Sequence, residues 1–196
     1  ALSNFAALIN YSATFASGFL LSLYLQYIKA MTPESAGIVL VAQPVVMALL
    51  SPLAGSLSDH IEPRIVASIG MAFTTIGLAS FIFVDTGTPL GFIVAGLVVL
   101  GLGFALFSSP NTNAVMSSVE SRHYGVASGT LGTMRLTGQM FSMGIAMLIF
   151  ALVMGRVRIT PEHYGQFLSS ARIAFSIFTS LCFAGIFMSL ARGKVR

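Results

Sequence analysis

Along the chain, long apolar runs alternate with short breaks that hold most of the charge and several prolines. The runs lie near residues 5–28, 36–57, 64–84, 89–117, 124–155 and 168–191. A helix of about 20 apolar residues crosses a hydrocarbon core of about 30 Å, so each run suffices for one crossing. Isolated strands are excluded, because lipid leaves their backbone groups unpaired. The pattern predicts an all-α membrane protein whose six transmembrane helices form a single bundle over residues 1–196. Short breaks, at Lys29 to Ser35, Ser58 to Pro63, Asp85 to Thr88, Ser118 to His123 and Arg156 to Gln166, make successive helices antiparallel neighbours. Pro33, Pro63, Pro89 and Pro161 stand at these breaks, where a missing N–H is harmless. Pro44, Pro52 and Pro110 fall inside runs and predict kinks.

Composition excludes a water-soluble domain. The 196 residues are 56% hydrophobic and 8% charged, with a mean hydropathy of +0.90, whereas soluble domains carry about 25% charged residues. The net charge of +4 does not indicate a nucleic-acid partner, because the ten Lys and Arg are scattered between apolar runs rather than gathered on one face. Their simpler role is at loops that meet lipid headgroups. With the amino end inside, Arg64, Arg122, Arg192, Lys194 and Arg196 are cytoplasmic, and Lys29, Arg156 and Arg158 lie outside. That five-to-three excess favours both ends in the cytoplasm, and the cell membrane is the expected location. Cys182 is the only cysteine, so no internal disulfide forms. No residue set suggests a metal or cofactor. The chain opens at Ala1 almost directly into a span, without a signal peptide, as a piece of something longer would.

Polarity inside the membrane is expensive and therefore informative. In the first helix Asn10, Thr14, Ser17 and Tyr24 follow at spacings of 4, 3 and 7, which puts them on one face. That stripe faces either a cavity or another helix. Arg135 is the strongest single signal: eleven residues beyond Tyr124, it sits about 16 Å deep at 1.5 Å per residue, near the bilayer centre. Gln139 follows one turn later on the same face. The arginine either faces an aqueous path or is held by amides and carbonyls of the fourth helix, where Asn111 is within reach. Gln43, beside Pro44, lines the same path or bonds another helix. Gly125, Gly129 and Gly132 are small residues of the kind that let membrane helices approach, and they are expected to pack. All six carboxylates, Glu34, Asp59, Glu62, Asp85, Glu120 and Glu162, fall in or beside breaks.

The second break carries a signature. Gly55, Asp59 and Arg64, within Gly55-Ser-Leu-Ser-Asp-His-Ile-Glu-Pro-Arg64, resemble the loop that joins the second and third helices in each half of major facilitator superfamily transporters. His60, Glu62 and Ile65 depart from that pattern. The stretch from Gln43-Pro44 to Gly55, the run Gly101 to Asn111, and Gly125-Val-Ala-Ser-Gly129 with Thr133-Met-Arg135 are similar to the drug:proton antiporters of the fourteen-span branch. The resemblance covers nearly the whole chain and implies one half, a 3+3 inverted repeat, matching the carboxy-terminal side. It also implies that helices one, two, four and five line a central cavity, which agrees with Asn10, Thr14, Ser17, Tyr24, Gln43, Arg135 and Gln139 as its lining residues. Gly55, Asp59, Arg64 and Glu120 would form a conformational-switch loop in which Arg64 pairs with Glu120.

These features predict the carboxy-terminal half of a secondary transporter that exports drugs or other small molecules by alternating access. The proton gradient would supply the energy, and the partner would be an absent amino-terminal half or a second copy. The alternative is a membrane module that only pairs with another six-helix half. An intramembrane serine protease is disfavoured, since Val126 breaks Gly-x-Ser-Gly and His60, His123 and His163 all lie in breaks, too far to serve as a base. The chain is therefore not expected to be an enzyme.

Overall fold

A computed structural model of the chain describes residues 2–155, 157 and 159–190, apart from the side chains of Leu2 and Asp59. The Asp59 side chain, and Arg156, Arg158, Arg192, Lys194 and Arg196 of the charge count, lie outside the described residues. Helix α1 (Leu2–Leu23) runs on into a π-helical turn (Tyr24–Ile28). Helices α2 (Pro33–Leu40) and α3 (Ala42–His60) make the second crossing, and α4 (Pro63–Ile82) makes the third. Helices α5 (Leu90–Met116), α6 (Tyr124–Val153) and α7 (Tyr164–Leu190) complete six apolar spans.

Local chemistry sets the ends of these helices. Pro33 and Pro63 occupy the first turns of α2 and α4, where no intrahelical N–H is needed. Thr32 caps α2, its Oγ1 accepting from the Ser35 N–H at 3.3 Å. At the far end of α6, Gly155 takes φ +67° while its N–H and that of Met154 both return to the Phe150 carbonyl. The sequence predicts one kinked helix near 36–57, and the structure has two helices parted at Val41. Pro44 explains the position of the break. It has no N–H to offer the Leu40 carbonyl, and its ring crowds that carbonyl.

Packing between the crossings is symmetric. The most extensive contacts join span 3 to span 4, span 2 to span 4, span 1 to span 5, span 3 to span 6, and span 1 to span 6. Exchanging 1 with 4, 2 with 5 and 3 with 6 turns this set into itself, as a 3+3 inverted repeat requires. The core lies among spans 1, 3, 4 and 6, where Leu20, Phe81, Phe107 and Phe178 are fully enclosed. Small residues make the crossings close. A Cβ on Gly138 of α6 would stand 2.6 Å from the Leu8 carbonyl oxygen of α1, and one turn on the Ser142 hydroxyl accepts from the Ala16 N–H at 2.9 Å.

Spans 2 and 5 are left with open faces. Only 6% and 22% of their apolar windows are buried, against 61% for span 1. Leu49 and Leu53 on α3, and Leu136 and Met140 on α6, are mostly exposed. The glycines Gly125, Gly129 and Gly132, expected to pack, belong to this open side. A Cβ on any of them would meet nothing within 4 Å. Within this bundle the close-packing glycines are others, because α6 turns Gly138, not those three, toward α1.

One end of the bundle is laced together by its loops. The Tyr24 hydroxyl donates to the Asp85 carbonyl at 2.7 Å, and Lys29 Nζ donates to the Thr86 carbonyl at 2.8 Å. Tyr164 donates to the Tyr27 carbonyl at 2.6 Å, and Arg172 reaches the Val84 carbonyl at 3.4 Å.

Candidate functional site

A helix of period 3.6 presents Tyr11, Thr14, Phe15 and Gly18 at i, i+3, i+4 and i+7, on one face of α1. That face is the wall of a cavity of about 190 Å³. Gln43, Pro44 and Met47 of α3, Phe104 of α5, and Arg135 and Gln139 of α6 supply the other walls. A second cavity, of about 180 Å³, continues between α5 and α6, lined by Ser108, Asn111, Thr112, Ser128 and Gly132. Spans 1, 2, 4 and 5 furnish the lining residues, and spans 3 and 6 furnish none.

Tyr11 and Arg135 border both cavities. The guanidinium carbon of Arg135 stands 5.1 Å from the centre of the Tyr11 ring, within cation–π range. Tyr11 also meets Phe104, the ring centres 6.0 Å apart. Arg135 is exposed, and among the described residues no carboxylate pairs with it.

Four of the seven expected lining residues, Thr14, Gln43, Arg135 and Gln139, come together at the first cavity. Asn10, Ser17 and Tyr24 turn elsewhere. Their face is rotated about 110° from that of Tyr11 and Gly18 at 100° per residue, and it enters the bundle interior. Asn10 lies fully buried opposite Cys182 of α7, with Sγ to Oδ1 at 3.9 Å, and Ser17 is buried as well. Tyr24 is spent on the Asp85 carbonyl. The ordered stripe thus marks a packing face, with only Thr14 at its edge reaching the cavity. Tyr11, Phe15 and Phe104 went unnoticed in the polar pattern because aromatic residues read as core. The i, i+3, i+4, i+7 register of residues 11, 14, 15 and 18 is the signal that finds that face.

The signature loop also differs from expectation. Arg64 Nε lies 2.6 Å from Glu62, and Arg122 Nε lies 2.8 Å from Glu120, so the expected Arg64–Glu120 pair is replaced by two local ones. Each acid has a base two residues away, which is easier to reach than a partner on another loop. Near this loop α5 is tied to α3 by Asn113, whose Nδ2 donates to the Ser58 hydroxyl at 3.0 Å, while Ser58 donates to the Gly55 carbonyl. Gly55 is close to α5, a Cβ there falling 3.1 Å from Ser109 Oγ. At the opposite end, Asp85 lies below the usual carboxylate range. The Thr88 hydroxyl is the main cause, followed by the Gly87 N–H, with Arg172 adding a smaller charge effect. Among the described residues no group of His, Cys, Asp and Glu could hold a metal ion.

An inverted repeat of three and three helices, with a cavity on one face and Arg135 bordering it from within span 5, defines an integral multi-pass membrane protein of the transporter class. The comparisons with known proteins make the class a family. Residues 4–194 match the family model described as Major Facilitator Superfamily, and the chain belongs to that family of transporters, not enzymes. It is 29% identical over 191 residues to the riboflavin transporter RibZ of Clostridioides difficile, covering 96% of this chain and 41% of that protein. It is 30% identical over 125 residues to the multidrug resistance protein Stp of Mycobacterium tuberculosis, covering 64% of this chain and 23% of that protein. The fold is similar to that of the proton:xylose symporter XylE bound to 6-bromo-6-deoxy-D-glucose. There the TM-score is 0.76 at 12% identity, over 99% of this chain and 44% of that one. The chain thus spans less than half the length of each.

Proposed function

We propose that the chain is the carboxy-terminal half of a proton-coupled exporter of drugs or other small molecules, of the fourteen-span branch, working by alternating access in the cell membrane. The observation that carries this reading is the cavity itself, walled by spans 1, 2, 4 and 5, of which spans 2 and 5 leave most of their apolar face exposed. At about 190 Å³, it falls below the ~300–1,000 Å³ of a small-molecule site, as half of an interfacial site would. A second six-helix half over this face would enlarge the site and cover the open apolar surface, along with Gly125, Gly129 and Gly132. Thr14, Gln43, Arg135 and Gln139 are this half's polar contribution. Gly55, Asp59 and Arg64, around the break between spans 2 and 3, and Glu120, in the break between spans 4 and 5, stabilise one closed state rather than binding substrate. RibZ and Stp, by their names a riboflavin transporter and a multidrug resistance protein, support a small-molecule cargo. The coupling carboxylates are assigned to the other half, since the acids here lie at helix ends and loops.

The test is reconstitution of the complete gene product in liposomes with an imposed pH gradient, reading ethidium and riboflavin movement. Gradient-driven movement of either, abolished by a protonophore, is expected. If neither moves while the two halves still pair, the assembly-module reading replaces this one.

A further inference from the structure

The two cavities differ in chemistry, and Arg135 stands at their junction. One is walled by Phe15, Met47 and Phe104, the other by the hydroxyls and amides of Ser108, Thr112 and Asn111. A guanidinium at mid-membrane depth without a counter-charge among the described residues is costly. It also attracts an anion more strongly there than in water, because the local dielectric is low. The guanidinium carbon stands 5.1 Å over the Tyr11 ring, and with no carboxylate paired to it among the described residues its N–H groups suit a planar acid.

Resting on the transporter reading above, we infer that the cargo is an amphiphilic organic anion. A carboxylate, sulfonate or phosphate head engages Arg135 from the polar side, and a flat apolar body lies against Tyr11, Phe15 and Phe104. Gln139, one turn along α6 from Arg135, borders the body and donates to any oxygen at its edge. Neither chamber alone explains an arginine exposed to both. A cargo that is polar at one end and aromatic at the other uses each.

Two fluorescent probes of nearly the same skeleton separate charge from shape: 8-anilinonaphthalene-1-sulfonate and the uncharged N-phenyl-1-naphthylamine. Each is titrated against the complete protein in phosphatidylcholine nanodiscs, with empty nanodiscs subtracted. Arg135→Gln is expected to weaken the sulfonate by about 10- to 100-fold, the range of a charge-assisted contact, and to leave the neutral probe within about twofold. Arg135→Lys keeps the charge and is expected to retain sulfonate binding to within about fivefold, which guards against a folding defect in the first variant. Equal weakening of both probes, or no weakening of the sulfonate, overturns the proposal. The latter is the result expected if a carboxylate of the other half already neutralises Arg135. Loss of sulfonate binding when phosphatidylglycerol is added also overturns it, by giving the site to a lipid headgroup. Sulfonate preference without gradient-driven transport sinks only the exporter reading, and transport without that preference sinks only this one.

Discussion

Gly70 and Gly103 face each other across the crossing of α4 and α5. A Cβ on Gly70 would stand 2.7 Å from the Gly103 carbonyl oxygen, and one on Gly103 would stand 2.8 Å from the Gly70 carbonyl oxygen. Both obstructions are backbone, so neither can rotate away. Gly70→Ala or Gly103→Ala must therefore part the two helices, and overpacking of this kind costs about 1–3 kcal/mol. Thermal unfolding in detergent is expected to show a lower midpoint for both. Gly144→Ala, where the added carbon meets nothing within 4 Å, is expected to leave it unchanged or raised.

The Ser68 and Ser189 hydroxyls, buried between α4 and α7, lie 2.9 Å apart. Ser68 also donates to the Arg64 carbonyl at 2.7 Å. Its single hydrogen cannot serve both, so Ser189 supplies the proton between the helices. Interhelical hydrogen bonds in membranes are worth about 0.6 kcal/mol on average. Ser189→Ala is expected to cost about that much, with Ser68→Ala adding little once Ser189 is gone. A double-mutant unfolding cycle measures the coupling, and strict additivity would show that the two hydroxyls are not bonded.

How far the fold was legible in the sequence depends on what each residue does in lipid. Pro33 and Pro63 mark helix starts because a missing N–H has one harmless place, and both begin helices in the structure. Arg135 is legible because depth alone makes it expensive. The face of the Asn10–Ser17–Tyr24 stripe is not. Periodicity says that three polar groups share a side, and it does not say which neighbour that side meets. Glycines are ambiguous in the same way: Gly125 and Gly70 look alike in sequence, yet only Gly70 has a backbone against it. Arg64 shows a third limit, since a near acid, Glu62, outcompetes a distant one that sequence reasoning prefers.

Asp85 gives a pH prediction at the laced end of the bundle. Its carboxylate accepts from the Gly87 N–H at 2.8 Å and from the Thr88 hydroxyl at 3.1 Å, and its folded value lies below the ordinary Asp value of about 3.9. A lowered folded value means that the contribution to stability is fully present above the ordinary value and fades as pH falls through the folded one. Carboxyl ¹³C titration is expected to place the Asp85 midpoint below the free-aspartate value, with Thr88→Val moving it upward. A midpoint unaffected by Thr88→Val would exclude the hydroxyl as the main cause.

Orientation is open to a chemical test, because native Cys182 is fully buried and contributes little background. Thr86 and Ser121 are both exposed, in loops at opposite ends of the bundle. With both termini cytoplasmic, Thr86→Cys is expected to react with a membrane-impermeant maleimide on intact cells, and Ser121→Cys only after the membrane is opened. The reverse pattern would invert the bundle, and Arg64 and Arg122 would then stand outside, against the rule that basic residues favour the cytoplasmic side.

Arg135→Ala tests whether the mid-membrane charge serves transport or architecture. The side chain is exposed and its described contact is the Tyr11 ring, so its removal opens no buried cavity in this bundle. A cation–π contact at an exposed site is worth about 0.5–1 kcal/mol, while removing an arginine from the membrane centre recovers at least ~2.5 kcal/mol of insertion free energy. The variant is therefore expected to insert and unfold as well as the parent or better, and yet to lose gradient-driven transport in the complete protein. Near-normal transport would remove Arg135 from the site. Failure to insert would make it structural, since the balance of these two magnitudes predicts the opposite.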